Sequence, residues 1–261
     1  MRVLIISLHV LVINVSMGEV YNLKSRTLEE DRTLYIYLPK DYESSQELYP
    51  VLYLLDGDRL FNYTAATVDY YINTYRIPPL IVVGIESTDR TRDFTPTAGS
   101  GRAGRPATGG GADVFLRFMK EELFPYLEGK YRTRQYRAII GHSLGGLFVI
   151  HTLFSDPCLF GAYMALSPFL AWDNGVLVHR SEVFFKETQS KNKLLFVASE
   201  PLSREGMAKP MEDFVHLLKT CCPEGLEWEY KPYEGSDHMN LPVLSIPDGL
   251  DFFFPGIVQN R

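Results

Sequence analysis

Residues 137–141 (RAIIG) form a short β-branched apolar run, residues 144–153 are apolar at helical spacing, and only two residues separate them. A strand that passes into a helix with so little chain between must turn sharply, and the residues at this turn are Gly141-His142-Ser143-Leu144-Gly145, followed by Gly146. Side chains flanking such a turn collide with neighbouring backbone, and glycine removes the collision. The turn lifts the serine hydroxyl above the strand end and sets the next backbone N–H at the positive end of the helix. G-x-S-x-G between a strand and a helix is the pattern of a nucleophile elbow, so Ser143 is the candidate nucleophile.

The rest of the chain supplies the sheet that this turn requires. Residues 33–39 (TLYIYLP), 49–55 (YPVLYLL), 194–198 and 228–233 read as strands, and residues 79–85 (PLIVVGI) form a continuous apolar run suited to a strand buried on both faces. Helical spacing marks residues 112–130, 144–153 and 211–219. Strands alternating with helices predict an α/β fold with a mainly parallel central sheet and helices on both faces. Ligands bind such sheets at the carboxyl ends of the strands. No repeat, charge block or proline-rich linker divides the chain, so residues 19–261 read as one catalytic domain.

Other features bound the function. A chain of 261 residues buries a full core without a disulfide or metal. Its three cysteines, Cys158, Cys221 and Cys222, show no Cys-x-x-Cys spacing and read as buried or half-buried thiols. A net charge of −6 argues against nucleic acid or an anionic membrane as the main partner. No metal or cofactor is expected. Residues 95–111 (TPTAGSGRAGRPATGGG) lack an apolar face and predict a mobile loop. At the amino end, Arg2, the apolar run 3–15 and Ser16-Met17-Gly18 fit a signal peptide cut after Gly18, with a periplasmic or secreted mature chain. The run is too short for a comfortable membrane span. The alternative is a buried first strand in a cytoplasmic protein.

A serine hydroxyl needs a base to take its proton. His9 lies in the leader, His142 inside the elbow, His151 and His216 within helical stretches and His179 in a polar connection. His238 follows the last strand, in Gly235-Ser236-Asp237-His238-Met239-Asn240, and is the candidate base. The acid that orients it should follow the penultimate strand, in chain order Ser, Asp/Glu, His. The loop 199–206 offers Glu200 and Glu205, while Asp237 is too close in sequence to reach the His238 ring easily.

These pieces together resemble the Putative esterase family, which includes esterase D, the enterochelin esterases and the mycolyltransferases. The matching segments are residues 49–58 (YPVLYLLDGD), Arg92-Asp93-Phe94-Thr95-Pro96, 121–131 (EELFPYLEGKY), Gly141–Gly146 running on to Leu166-Ser167-Pro168, and the His238 loop with the helix after it (LPVLSIPDGLDFFF). The resemblance covers about residues 20–254 and implies an α/β-hydrolase fold. It assigns the oxyanion-hole N–H groups to Asp58 and Leu144, and by analogy with the mycolyltransferases it places the acid at Glu205 in preference to Glu200. It also sets the glycine-rich loop, with Arg102 and Arg105, against the acyl or ligand side of the site, where the two arginines are candidates for an anionic substrate. The implied activity is hydrolysis of a small or medium carboxylic ester through an acyl-enzyme, a siderophore ester or a carbohydrate acetyl or feruloyl ester among them. The alternatives are acyl transfer with the same triad and a catalytically inactive binding domain.

Overall fold

A computed structural model of the chain describes residues 18–99, 108–187, 192–201 and 205–255. β1 (Glu19–Ser25) starts where the mature chain is expected to start, and the rest of the expected leader lies outside the described residues. Seven further strands follow: β2 (Glu30–Tyr37), β3 (Tyr49–Leu55), β4 (Ile81–Ile85), β5 (Thr133–His142), β6 (Ala162–Leu166), β7 (Lys193–Ser199) and β8 (Leu226–Pro232). They form one sheet in the order β1-β2-β4-β3-β5-β6-β7-β8. β2 runs antiparallel to both β1 and β4, and every other pair is parallel.

Burial follows position in the sheet. All seven residues of β3 and all five of β4 are buried, which explains their near-continuous apolar sequence. Side chains along β3 alternate between two cores. Val51, Tyr53 and Leu55 join Phe115, Phe148 and Phe160 on one face, whereas Leu52 and Leu54 join Phe61, Val68, Met164 and Leu250 on the other. The edge strand β8 exposes Glu227 and Glu229, charges that discourage pairing with another chain.

Helices cover both faces: α1 (Gly57–Asn73), the short α2 (Arg90–Phe94), α3 (Ala112–Phe118), α4 (Phe124–Lys130), α5 (Leu144–Ser155), α6 (Val176–Glu187), α7 (Glu205–Cys221) and α8 (Leu241–Phe253). The helix expected over 112–130 is α3 and α4 joined through a π-helical turn, Met119–Leu123. Pro125, which has no N–H to donate, falls in the first turn of α4 just beyond it. Among the described residues no helix is long and apolar enough to cross a membrane. One thiol departs from expectation: Cys158 is exposed, in the turn between α5 and β6, while Cys221 and Cys222 are half-buried.

The chain reverses its direction of growth at β3, whose neighbours are β4 on one side and β5 on the other. A crevice opens beyond the carboxyl ends of strands at such a point. The turns after β3 and β5, which carry Asp56 to Asp58 and Ser143, lie at the carboxyl ends of these two adjacent strands.

Candidate active site

β5 ends at His142 and α5 begins at Leu144, so Ser143 alone makes the turn, at φ 60° and ψ −115°. A serine holds that backbone only where its surroundings impose it. The Ser143 N–H donates to the Leu166 carbonyl (2.9 Å), and the Phe169 N–H donates to the Ser143 carbonyl (3.1 Å). The glycines are sterically required. A Cβ on Gly141 would lie 2.2 Å from the Gly145 carbonyl oxygen, and one on Gly146 would lie 2.9 Å from Pro168 Cα.

His238 stands between β8 and α8 on a turn braced by its neighbours. The Asp237 carboxylate accepts from the backbone N–H groups of Met239 (2.8 Å) and Asn240 (2.9 Å), and the Asn240 side chain accepts from the Asp237 N–H (2.9 Å). Asp237 thus shapes the loop. The His238 ring lies against that of His142, with centroids 4.4 Å apart, which brings it beside the residue preceding Ser143. Among the described residues no hydrogen bond joins the Ser143 hydroxyl to His238; such bonds commonly tighten only when substrate is bound. Burial first, and then the neighbouring His238 and the Arg59 and Arg90 guanidiniums, push His142 down to about 4, so its ring is neutral near pH 7.

The carboxylate against His238 is Glu200, the other of the two offered by the loop after β7. His238 Nδ1 is 2.9 Å from Glu200 Oε1, and Glu200 directly follows β7. Glu205, expected in this role, instead opens α7. The physical reason lies in the sheet: a residue at the very end of β7 is level with the top of β6 and with the His238 loop, and no further chain is needed to reach the ring. Burial works to raise the Glu200 pKa, but hydrogen bonds from His238, its own backbone N–H and the Ser167 hydroxyl together outweigh it and hold the carboxyl at about 2. Glu200 is therefore ionised throughout the physiological range. Ser167 was in the sequence only a part of the Leu-Ser-Pro motif; its hydroxyl lies 2.9 Å from Glu200 Oε1 and 3.2 Å from His238 Nδ1.

Two helices start at the carboxyl ends of β3 and β5. Leu144 is the first residue of α5, and Asp58 is the second of α1, entered through Asp56 in the left-handed region at φ 55°. First-turn N–H groups have no partner within their own helix. The buried Asp56 carboxylate takes a two-point contact from Arg90 (2.6 and 2.9 Å), and the same guanidinium reaches the His142 carbonyl (3.3 Å). One side chain thus links the turn before Asp58 to the turn before Leu144.

Arg102 and Arg105 lie outside the described residues. The flanks of their loop are tied down. Trp172 Nε1 donates to the Thr97 carbonyl (3.2 Å), the Thr97 hydroxyl donates to Asp173 (2.6 Å) and the Gly110 N–H donates to the Thr95 hydroxyl (2.9 Å).

Comparison with known proteins finds a matching family and several relatives. The family model described as Putative esterase matches residues 25–204. A ferri-bacillibactin esterase of Bacillus subtilis is 33% identical over 250 residues, spanning 87% of this chain and 86% of that protein. A siderophore triacetylfusarinine C esterase of Aspergillus fumigatus is 27% identical over 251 residues, spanning 82% and 85% of the two chains. Among solved structures, an IroE-like serine hydrolase from Shewanella oneidensis superposes with a TM-score of 0.85 at 33% identity, covering 91% of this chain and 80% of that one.

Proposed function

The chain belongs to the Putative esterase family, and from that premise we propose that it is a serine hydrolase that cleaves siderophore esters, with Ser143 as nucleophile, His238 as base and Glu200 as the orienting acid. The observation that carries this reading is a serine held at φ 60° on a strand-to-helix turn, next in sequence to a histidine whose ring packs on that of His238, with His238 Nδ1 2.9 Å from the half-buried Glu200 carboxylate. Relatives named as siderophore esterases support the substrate class.

Glu200 accepts the Nδ1 proton of His238, so the lone pair is on Nε2, where a serine proton can be taken. Ser143 Oγ attacks the ester carbonyl as its proton passes to Nε2. The carbonyl oxygen becomes an oxyanion that the N–H groups of Leu144 and Asp58 stabilise, a contribution of ~3–4 kcal/mol per donor to the transition state. The C–O bond to the alcohol then breaks, and the alkoxide leaves with the proton from Nε2. Water, activated by the same nitrogen, splits the acyl-enzyme and releases the carboxylic acid. At the moment His238 is an imidazolium, Glu200 supplies the opposite charge at 2.9 Å.

The substrate class is tested by assaying the purified protein against a ferric and an iron-free catecholate trilactone, a feruloylated sugar and an acetylated sugar. The trilactones are expected to show the highest kcat/KM, by at least about tenfold. A preference of that size for the feruloyl or acetyl sugar would move the protein to carbohydrate-ester hydrolysis.

A further inference from the structure

Ser167 stands at the end of β6 with φ 44°, a left-handed backbone rare for a residue with a Cβ, and it is buried. Its position links the three catalytic residues proposed above. The carbonyl just before it, on Leu166, accepts the Ser143 N–H (2.9 Å), and its own N–H donates to the Ala198 carbonyl on β7 (2.7 Å). Its hydroxyl reaches Glu200 Oε1 at 2.9 Å and His238 Nδ1 at 3.2 Å.

The donor roles in this triangle follow from charge. An ionised Glu200 only accepts, so the Ser167 hydroxyl donates to it. A lone pair of Ser167 Oγ then faces Nδ1, which must carry hydrogen to approach both oxygens. The second carboxylate oxygen, Glu200 Oε2, is buried with no hydrogen-bond partner. Both side-chain donors therefore meet at one oxygen of a side chain with three rotatable bonds, and the Ser167 hydroxyl is the contact that selects that oxygen.

We infer that Ser167 is a positioning residue of the reaction: it fixes Glu200 Oε1 under His238 and holds the imidazole in the tautomer with Nε2 free to take the Ser143 proton. This inference rests on the serine-hydrolase reading. Ser167 touches no reacting atom and acts through Glu200.

The test is a double-mutant cycle on steady-state ester hydrolysis by the full chain, with Ser143→Ala alongside. Ser167→Ala is expected to lower kcat about tenfold or more, the scale of a lost hydrogen bond to a charged group, with KM within about twofold of wild type. In a Glu200→Gln background the same change is expected to cost less than about twofold, because the oxygen that Ser167 selects is no longer a carboxylate. The downfield proton resonance of His238 Nδ1 should shift or broaden in Ser167→Ala. Ser167→Gly, which suits the left-handed backbone and removes only the side chain, should repeat these results and stands in if the alanine variant does not fold. A wild-type kcat with an unmoved resonance, or equal losses in both backgrounds, overturns the inference. Full activity in Ser143→Ala overturns the serine mechanism itself, a separate failure.

Discussion

Which nitrogen of His238 carries the proton decides whether the ring can act as a base toward Ser143, and at the level of single residues the contact of Nδ1 with Glu200 at 2.9 Å makes that decision. A carboxamide at position 200 can present its NH2 to Nδ1 and stabilise the wrong tautomer, and it carries no charge to balance the imidazolium. Glu200→Gln is therefore expected to lower kcat by about 10³-fold or more, whereas Glu205→Gln is expected to stay within about twofold of wild type. Steady-state kinetics on a soluble aryl ester check both. A large loss confined to Glu205→Gln would return the acid to the position that family analogy suggested. The two candidates lie five residues apart, and loop length after a strand does not report which carboxylate reaches across the sheet.

At the scale of elements, the short helix α2 is held to the sheet by charge. Arg32 on β2 has no exposed side-chain surface; it pairs with Asp93 on α2 (3.0 Å) and with Glu30, and it donates to the Glu86 carbonyl (3.0 Å). Arg92 on α2 holds Asp93 (2.7 Å) and Glu30 (2.6 Å) from the other side. This network seats the helix whose first residue, Arg90, braces the turns before Ser143 and Asp58. Arg32→Met removes a buried cation from two carboxylates and is expected to cost about 3 kcal/mol, a fall in melting temperature of roughly 6–12 °C, with Asp93→Leu in the same chain recovering part of it. A melting curve within 2 °C of wild type would show the network to be dispensable. Local patterns made much of the architecture legible: seven buried residues in a row at β3, and two residues between an apolar strand and an apolar helix at Ser143. β6 escaped notice because AYMAL is short and carries two alanines, and β1 because Glu19, Asn22 and Lys24 leave it no apolar run. With β6 unread, Ser167 could not be seen as the neighbour of Glu200, since only sheet order brings them together.

For the molecule as a whole, the site leaves a mark on stability as well as on catalysis. His142 is buried with its pKa at about 4 against 6.5 for a free histidine, so the unfolded chain takes up its proton first as pH falls. Its contribution is complete above pH 6.5 and is lost between there and about pH 4, amounting to about 3 kcal/mol. Urea unfolding at pH 7 and pH 4.5 should therefore show a smaller acid loss for His142→Gln than for wild type; equal losses would mean that the histidine is not titrating as its burial requires. His151, also buried and also pushed down by burial, adds to the wild-type slope in both proteins and cancels in the comparison. In the proposed mechanism all these parts serve a covalent step at Ser143. It is tested most directly by quenching the enzyme with an aryl ester in acid during turnover and locating the acyl group by peptide mass. One acyl group is expected, on the peptide containing Ser143, absent in Ser143→Ala together with turnover; an acyl group on another residue, or undiminished hydrolysis by Ser143→Ala, would rule out Ser143 as the nucleophile.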